Sequence, residues 1–237
     1  MREAPSILGI GAHPDDLEVL AGGTLALYVR RGRRVTMAPL TNGEMGHKVI
    51  PPRELAAIRE REARAAAAVL GAEFQWVGLP DEFLATDMGT RLRVVDLIRA
   101  VRPDVIVTHA PQCYHPDHRA TFELVFAASF LATIPHIERE YQSLPSVPRI
   151  LCMETVGGLD FQPEFYVDIT DVFEIKVEAL KKHESQIRWL KDHDNIDILE
   201  HVRIVNRFRG LQCTATYAEG FTLVRRWPAV PTGSVLP

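Results

Sequence analysis

The stretch Ser6-Ile7-Leu8-Gly9-Ile10-Gly11-Ala12-His13-Pro14-Asp15-Asp16-Leu17-Glu18 decides how this chain is read. Its first half is a short apolar run of the kind buried on both faces in a parallel sheet. At Gly11-Ala12-His13 the run breaks into a loop dense in ionisable groups. A helix pattern follows over 22–31, closed by Gly32 as a C-terminal cap. Strand, loop and helix in that order form the unit from which parallel sheets with crossover helices are built.

The unit repeats downstream. Residues 34–40 read as a second strand that runs out into Thr41-Asn42-Gly43-Glu44. Pro51-Pro52 opens a long helix ending at Gly71, and its Glu/Arg pairs at helical spacing put one side in solvent. A third strand over 74–79 is stopped by Pro80-Asp81. Val94, Leu97, Ile98 and Val101 then form one apolar helical stripe that Pro103 ends. The nearly all-apolar segment 104–108 reads as a central strand, followed by a loop over 110–116 and a helix over 117–132. Beyond Pro135 the pattern changes. Two strands (149–155 and 165–169) precede a helix with Asp171 and Glu174 at capping-box spacing and Phe173, Val177 and Leu180 on its buried side. A polar, His-rich and mostly helical stretch over 181–209 leads to a last strand at Tyr217-Ala218-Glu219-Gly220-Phe221. The expected fold is α/β: a Rossmann-like, mostly parallel sheet flanked by helices, with a mixed C-terminal extension. One domain spans 1–227, and 228–237 reads as a disordered tail.

Composition narrows the function by exclusion. The 237 residues carry 27 Lys and Arg against 31 Asp and Glu, a net charge of −4. That balance removes the electrostatic case for nucleic acid or an anionic membrane as partner. No apolar run approaches the ~20 residues of a membrane span, and the first residues lead into a strand rather than a signal peptide. Cys113, Cys152 and Cys213 are odd in number, widely spaced and in no CxxC pattern. They argue against a disulfide framework and for a reducing cytoplasm. Nine histidines remain, and their positions carry the chemistry.

Two loops matter. One holds His13-Pro14-Asp15-Asp16; the other, after the strand at 104–108, holds His115-Pro116-Asp117-His118. In doubly wound sheets ligands bind outside the carboxyl ends of strands, where the strand order reverses, and the usual order makes these two strands neighbours there. A hydrolytic zinc site needs three protein ligands and an open position. His13 and Asp16 can ligate from one turn, and a histidine of the second loop completes the set. A carboxylate off the metal must take the proton of the activated water, and Asp15 is placed to do so. The remaining histidine would stabilise the oxyanion or protonate the leaving group, with Asp117 fixing its tautomer. Taken singly, Asp15, Asp16 and Asp117 read equally well as helix caps, and His115 and His118 as surface loop residues. Their joint occurrence at two strand ends has no structural requirement. The Gly9-x-Gly11 pair begins a dinucleotide fingerprint, but Pro14 stands where the third glycine belongs, and that reading fails.

These two motifs resemble those of the PIG-L/LmbE-like family of metal-dependent N-acetylglucosamine deacetylases. Gly22-Gly23-Thr24, Leu40-Thr41-Asn42-Gly43-Glu44, Arg59-x-x-Glu62-Ala63, Gly78-Leu79-Pro80-Asp81, Val167-Asp168-Ile169-Thr170-Asp171, Ser185-Gln186 and Tyr217 to Phe221 extend the likeness in the family's order. The resemblance implies His13, Asp16 and His118 as metal ligands and Asp15 as general base. His115 would be the oxyanion or acid group, oriented by Asp117. It places Arg59 near the substrate, although Arg59 reads equally as an exposed helix arginine paired with Glu62, and Asn42 and Tyr114 are further substrate-binding candidates. Tyr114 departs from the arginine found just before the second motif in many relatives with thiol-precursor substrates, which weighs against an acidic substrate such as a malate conjugate.

The expected protein is therefore a deacetylase holding one divalent metal, Zn2+ or else Fe2+. Its water, activated by Asp15, would remove the N-acetyl group of a GlcNAc-containing small molecule. Thiol-conjugate or other amide hydrolysis, or metal binding without catalysis, are the rival readings. A cytoplasmic homo-oligomer is expected, with no nucleic-acid or membrane partner. Cys113 is expected behind the ligands or in a structural place, and His109 likewise beside the site. Glu18 should tie down the first loop, and His183, His193 and His201 should lie on solvated surface.

Overall fold

The described elements, in chain order, are β1 (Ile7–Gly11), α1 (Asp16–Arg30), β2 (Val35–Pro39), α2 (Pro52–Leu70), β3 (Glu73–Phe74), α3 (Met88–Val101) and β4 (Val105–Thr108). They continue with α4 (Pro116–Leu131), β5 (Arg149–Met153), β6 (Phe165–Asp168), α5 (Phe173–Leu180), α6 (Glu184–Asp194), α7 (Ile198–Cys213) and β7 (Ala218–Leu223). The structure is a computed structural model that describes residues 5–226; the expected tail over 228–237 lies outside them.

The strands form one sheet in the order β3-β2-β1-β4-β5-β7-β6. All pairings from β3 to β5 are parallel, whereas β7 runs antiparallel between β5 and β6. The result is the expected single α/β domain with a mixed extension at one edge. From β1 the chain moves outward through β2 and β3, then returns to lay β4 on the other side of β1. Ile10 therefore pairs with Thr108, whose Oγ1 donates to the Ile10 carbonyl at 2.9 Å. Period-two alternation splits each central strand between two cores. Ile7, Val105 and Val107 pack on the α1, α5 and α7 side, while Leu8, Ile10 and Ile106 face α3 and α4.

Several elements differ from their sequence expectation for identifiable reasons. Helix α1 starts at Asp16, not at 22, and carries Gly22 and Gly23 inside it despite their poor helix propensity. Packing overrides propensity here: a Cβ on Gly23 would lie 2.7 Å from Ile169. The third strand shrinks to two residues. Gly78 turns at φ +68, and only an isolated bridge from Thr41 to Leu79 continues the pairing. The capping box at Asp171 does not form. A 3-10 turn over Thr170–Val172 precedes α5, and Asp168 accepts from the Thr170 backbone at 2.9 Å instead. The stretch 181–209 divides into α6 and α7 at Asn195, which adopts φ +55. The stripe Val94, Leu97, Ile98 and Val101 is buried as expected.

One buried ion pair ties the last strand to the first helix. Glu219 accepts from the backbone of Gly23 (2.9 Å) and Thr24 (2.8 Å) and from Lys176 Nζ (2.6 Å), with both side chains at 0% exposure. Removing one partner of such a pair strands the other charge, at a cost of about 3–5 kcal/mol. Glu219→Ala should lower the melting temperature by roughly 10 °C or more. Combining Lys176→Met with Glu219→Gln, which removes both charges and keeps an acceptor, should recover most of it. Equal melting of Glu219→Ala and the parent would show that the pair is dispensable.

Candidate metal centre

The register of β1 with β4 brings the two loops together. His13 leaves the end of β1, Asp16 is the first residue of α1, and His118 sits in the first turn of α4. Donor atoms of the three residues converge, with Asp16 turning one oxygen to each ring: His118 Nε2 lies 3.2 Å from Asp16 Oδ1 and 3.3 Å from His13 Nδ1, and His13 Nδ1 lies 3.5 Å from Asp16 Oδ2. A tetrahedral ion with bonds of about 2.0–2.1 Å spaces neighbouring ligand atoms about 3.3–3.4 Å apart, and each pair among these three residues meets at about that separation. His115 also approaches, its ring stacked on His118 at 4.6 Å and edge-on to His13 at 4.7 Å. Groups able to hold an ion include His13 with His115 and His118, and Asp16 with His109 and His118.

The electrostatics favour a cation at the same point. Burial opposes a charge on His13, yet the Asp117, Asp16 and Asp81 carboxylates around it push its pKa up to about 10. His118, likewise opposed by burial, is pushed up to about 9 by Asp16 and Cys113. Asp16 is driven well below the carboxylate range: burial works against that, and His118 and His109 overcome it. Nitrogens that hold protons this firmly mark a field that a divalent cation satisfies equally, at the cost of releasing those protons.

Partners behind the donors fix their orientation. His13 Nε2 lies 3.4 Å from Asp81 and 3.5 Å from Asp117, Cys113 Sγ is 3.1 Å from His118 Nδ1, and His109 Nε2 is 3.0 Å from Asp16 Oδ2. Burial followed by the neighbouring His118 lowers His109 to about 4, so it is neutral there.

Asp15 stands apart from the donor trio. It occupies the capping position of α1 without a side-chain cap and at φ +118, a strained conformation for a non-glycine residue. Arg59, on the buried stripe of α2, holds it in place: Nη2 donates to Pro14 O at 2.7 Å and approaches Asp15 Oδ1 at 3.5 Å, and Nη1 donates to Gly43 O at 3.0 Å. Gly43 turns at φ +64, and a Cβ there would meet the guanidinium at 2.6 Å. Burial raises Asp15 to about 6, with Arg59 pulling the other way.

A profile of the PIG-L family, described as GlcNAc-PI de-N-acetylase, matches residues 8–129. Over 231 residues the chain is 30% identical to the diacetylchitobiose deacetylase of Thermococcus kodakarensis, covering 94% of this chain and 84% of that protein. The chain belongs to the PIG-L family. Among solved structures, the N,N'-diacetylchitobiose deacetylase of Pyrococcus horikoshii superposes with a TM-score of 0.82 at 27% identity, over 94% of this chain and 85% of that one. The 4-carboxy-2-hydroxymuconate hydratase of Pseudomonas putida KT2440 does so with the same TM-score at 25% identity, over 96% and 98%.

In this PIG-L protein several residues do not sit where their sequence reading put them. The Asp117 carboxylate does not face His115. It accepts from the backbone of Glu82 (3.0 Å) and Leu84 (3.4 Å) and faces His13, while the Asp117 backbone N–H donates to His115 Nδ1 at 3.3 Å. The carboxylate beside His115 Nε2 is Glu82, at 3.5 Å. Arg59 is 2% exposed and is not paired with Glu62, which instead accepts from Ser185 of α6. Asn42 spends its side-chain oxygen on the Glu44 N–H at 3.2 Å, and Tyr114 stands 62% exposed with its ring 6.0 Å from His115. His183, expected on the surface, is fully buried against Glu18 at 3.3 Å, because the junction of α5 and α6 packs down on α1. His193 is exposed and His201 half-buried. Asp81 and Glu82 were missed as site residues; the available signal was Pro80-Asp81 directly after a strand-like run.

Proposed function

We propose that this PIG-L protein is a metal-dependent N-deacetylase acting on a GlcNAc-containing small molecule, with His13, Asp16 and His118 as ligands. The observation that carries the reading is the convergence of His13, Asp16 and His118, whose donor atoms lie 3.2–3.5 Å apart, with the Asp15 carboxylate, 12% exposed, next in the chain to Asp16 and faced by Arg59. Two imidazoles and one carboxylate with room for further ligands suit Zn2+, with Fe2+ the other ion such donors take. When bound, such an ion supplies a Lewis acid for the acyl oxygen and acidifies water.

The chain's own groups do the rest. Asp15, a buried base held by Arg59, takes the proton of the attacking water and returns it to the departing nitrogen, so that water and amide become acetate and a free amine. His115 accepts the Asp117 N–H at Nδ1, which keeps its own proton on Nε2. Burial, then the nearby His13 and His118, lower its pKa to about 4, so it acts as a neutral donor to the developing oxyanion. Tyr114, 62% exposed with its ring 6.0 Å from His115, would offer its hydroxyl to the sugar. The three free cysteines fit a cytoplasmic location. Among the described residues no helix is long and apolar enough to cross a membrane. Apolar side chains left exposed on α4, Phe126 and Phe130, suit a homo-oligomer.

The test is acetate release by metal-analysed protein from diacetylchitobiose, GlcNAc-inositol, GlcNAc-malate and a mercapturic conjugate. Acetate from a GlcNAc compound with about one metal per chain is expected. Metal without acetate from any N-acetyl sugar would sink the reading. Fastest release from the mercapturate would move it to thiol conjugates. A hydratase, the activity named for the P. putida protein, would release no acetate.

A further inference from the structure

Glu82 is an anomaly that the deacetylase reading leaves unused. It adopts φ +64, a left-handed conformation that costs an L-residue stability and that glycine adopts freely. Strain of this kind persists where the surroundings impose it, and it gathers at functional sites. Its backbone N–H is held by Asp117 Oδ2 at 3.0 Å. Its side chain is 49% exposed, with Oε1 3.5 Å from His115 Nε2, and it forms one cluster of potential donors with His13 and Asp81. The fold therefore presents a solvent-accessible carboxylate directly beside His115.

Fixed charge around His13 and His115 is one-sided. Asp16, Asp81 and Asp117 lie 3.4–3.5 Å from His13, with Glu82 in the same cluster and Asp15 one residue from Asp16, and the guanidinium of Arg59 is committed to two backbone carbonyls and Asp15. A divalent ion would leave the balance negative.

The geometry points to Glu82 as a specificity-determining residue that favours amino-sugar substrates whose remaining part is neutral or cationic and disfavours those carrying an anion. This rests on the deacetylase reading and names the substrate class within it. Neutral sugars offer hydroxyl donors to the carboxylate, and an amino sugar already freed of one acetyl offers an ammonium. A phosphate or carboxylate held about 12 Å from this carboxylate meets like charge at a penalty of about tenfold for an effective dielectric of about 20, and a larger one on closer approach.

The experiment compares the metal-loaded parent with Glu82→Gln, which keeps size and removes charge, and Glu82→Gly, which also frees the backbone. Turnover is measured as kcat/KM on N,N'-diacetylchitobiose and on N-acetylglucosamine 6-phosphate. Binding of glucosamine and of glucosamine 6-phosphate is measured by calorimetry. In the parent the neutral substrate and the phosphate-free amine should be preferred, and both substitutions should shrink that preference by about tenfold. Glu82→Gly should also raise Tm by about 2–4 °C as the strain is released. An unchanged preference in Glu82→Gln, or a parent that prefers the phosphorylated compounds, overturns the proposal. If no substrate yields acetate the deacetylase reading falls, and the binding preference still decides Glu82.

Discussion

Asp15→Asn should retain its metal and turn over about 10²–10⁴ times more slowly, the range spanned by removal of a positioned general base. The substitution is close to a pure change of function. Asn keeps the shape and an oxygen for Arg59 Nη2, 3.5 Å away in the parent, and it tolerates positive φ better than most residues, so the strained turn at φ +118 is preserved. What it loses is the ability to accept and return a proton. The parent's acid limb carries the same information. A base works deprotonated, so activity falls as pH drops through its pKa, which burial against Arg59 sets at about 6 in the metal-free chain. A bound cation pulls that limb lower, making about 6 its upper bound. Metal analysis, kcat and a pH profile on the two proteins check this. Near-parent turnover in Asp15→Asn would remove Asp15 from the chemistry.

His13→Ala should do the opposite: lose the metal, and activity with it. Residues behind a metal ligand cost about 10–100-fold in affinity when removed, so the loss of a ligand should exceed about 100-fold. The geometry makes His13 hard to replace. Its Nδ1 is the donor shared by Asp16 and His118, and its Nε2 faces Asp81 and Asp117. Without the ring, those carboxylates face one another across a gap. Metal content after dialysis, read beside acetate release with excess Zn2+, is the measurement. Full metal occupancy in His13→Ala would assign the ion to other donors, with Asp16, His109 and His118 the next set.

The two loops were legible because their signals are local. Apolar runs at 7–10 and 104–108 end in turns, and the pairing of those strands follows from the commonest connection rules. Arg59 was half legible. Locally it sits three residues from Glu62 and reads as an exposed pair, yet Leu55, Ala63, Ala66 and Leu70 form a buried stripe on which Arg59 falls, at four residues from both Leu55 and Ala63. Asp81 and Glu82 look like any turn after a strand. Only the long-range bonds from Thr41 Oγ1 (3.1 Å) and the Met45 N–H (3.0 Å) to Asp81, and from Glu82 to Asp117, place them at the site. His183 was misread for a similar reason. A histidine among polar residues has no local mark of burial, and its enclosure comes from Glu18, 165 positions earlier in the chain.

The bond between Glu219 and the middle of α1 spans 196 positions and joins the first described helix to the last described strand. During synthesis at about 5–20 residues per second, α1 would spend on the order of ten seconds or more without that partner. Until β7 slides between β5 and β6, Lys176 has no counter-ion and the helix that carries Asp16 has no anchor at Gly23 and Thr24. Completion of the centre is thus coupled to the arrival of the C-terminal strand. A nascent or truncated chain ending before Ala218 would hold every proposed ligand and still lack the latch that fixes their helix.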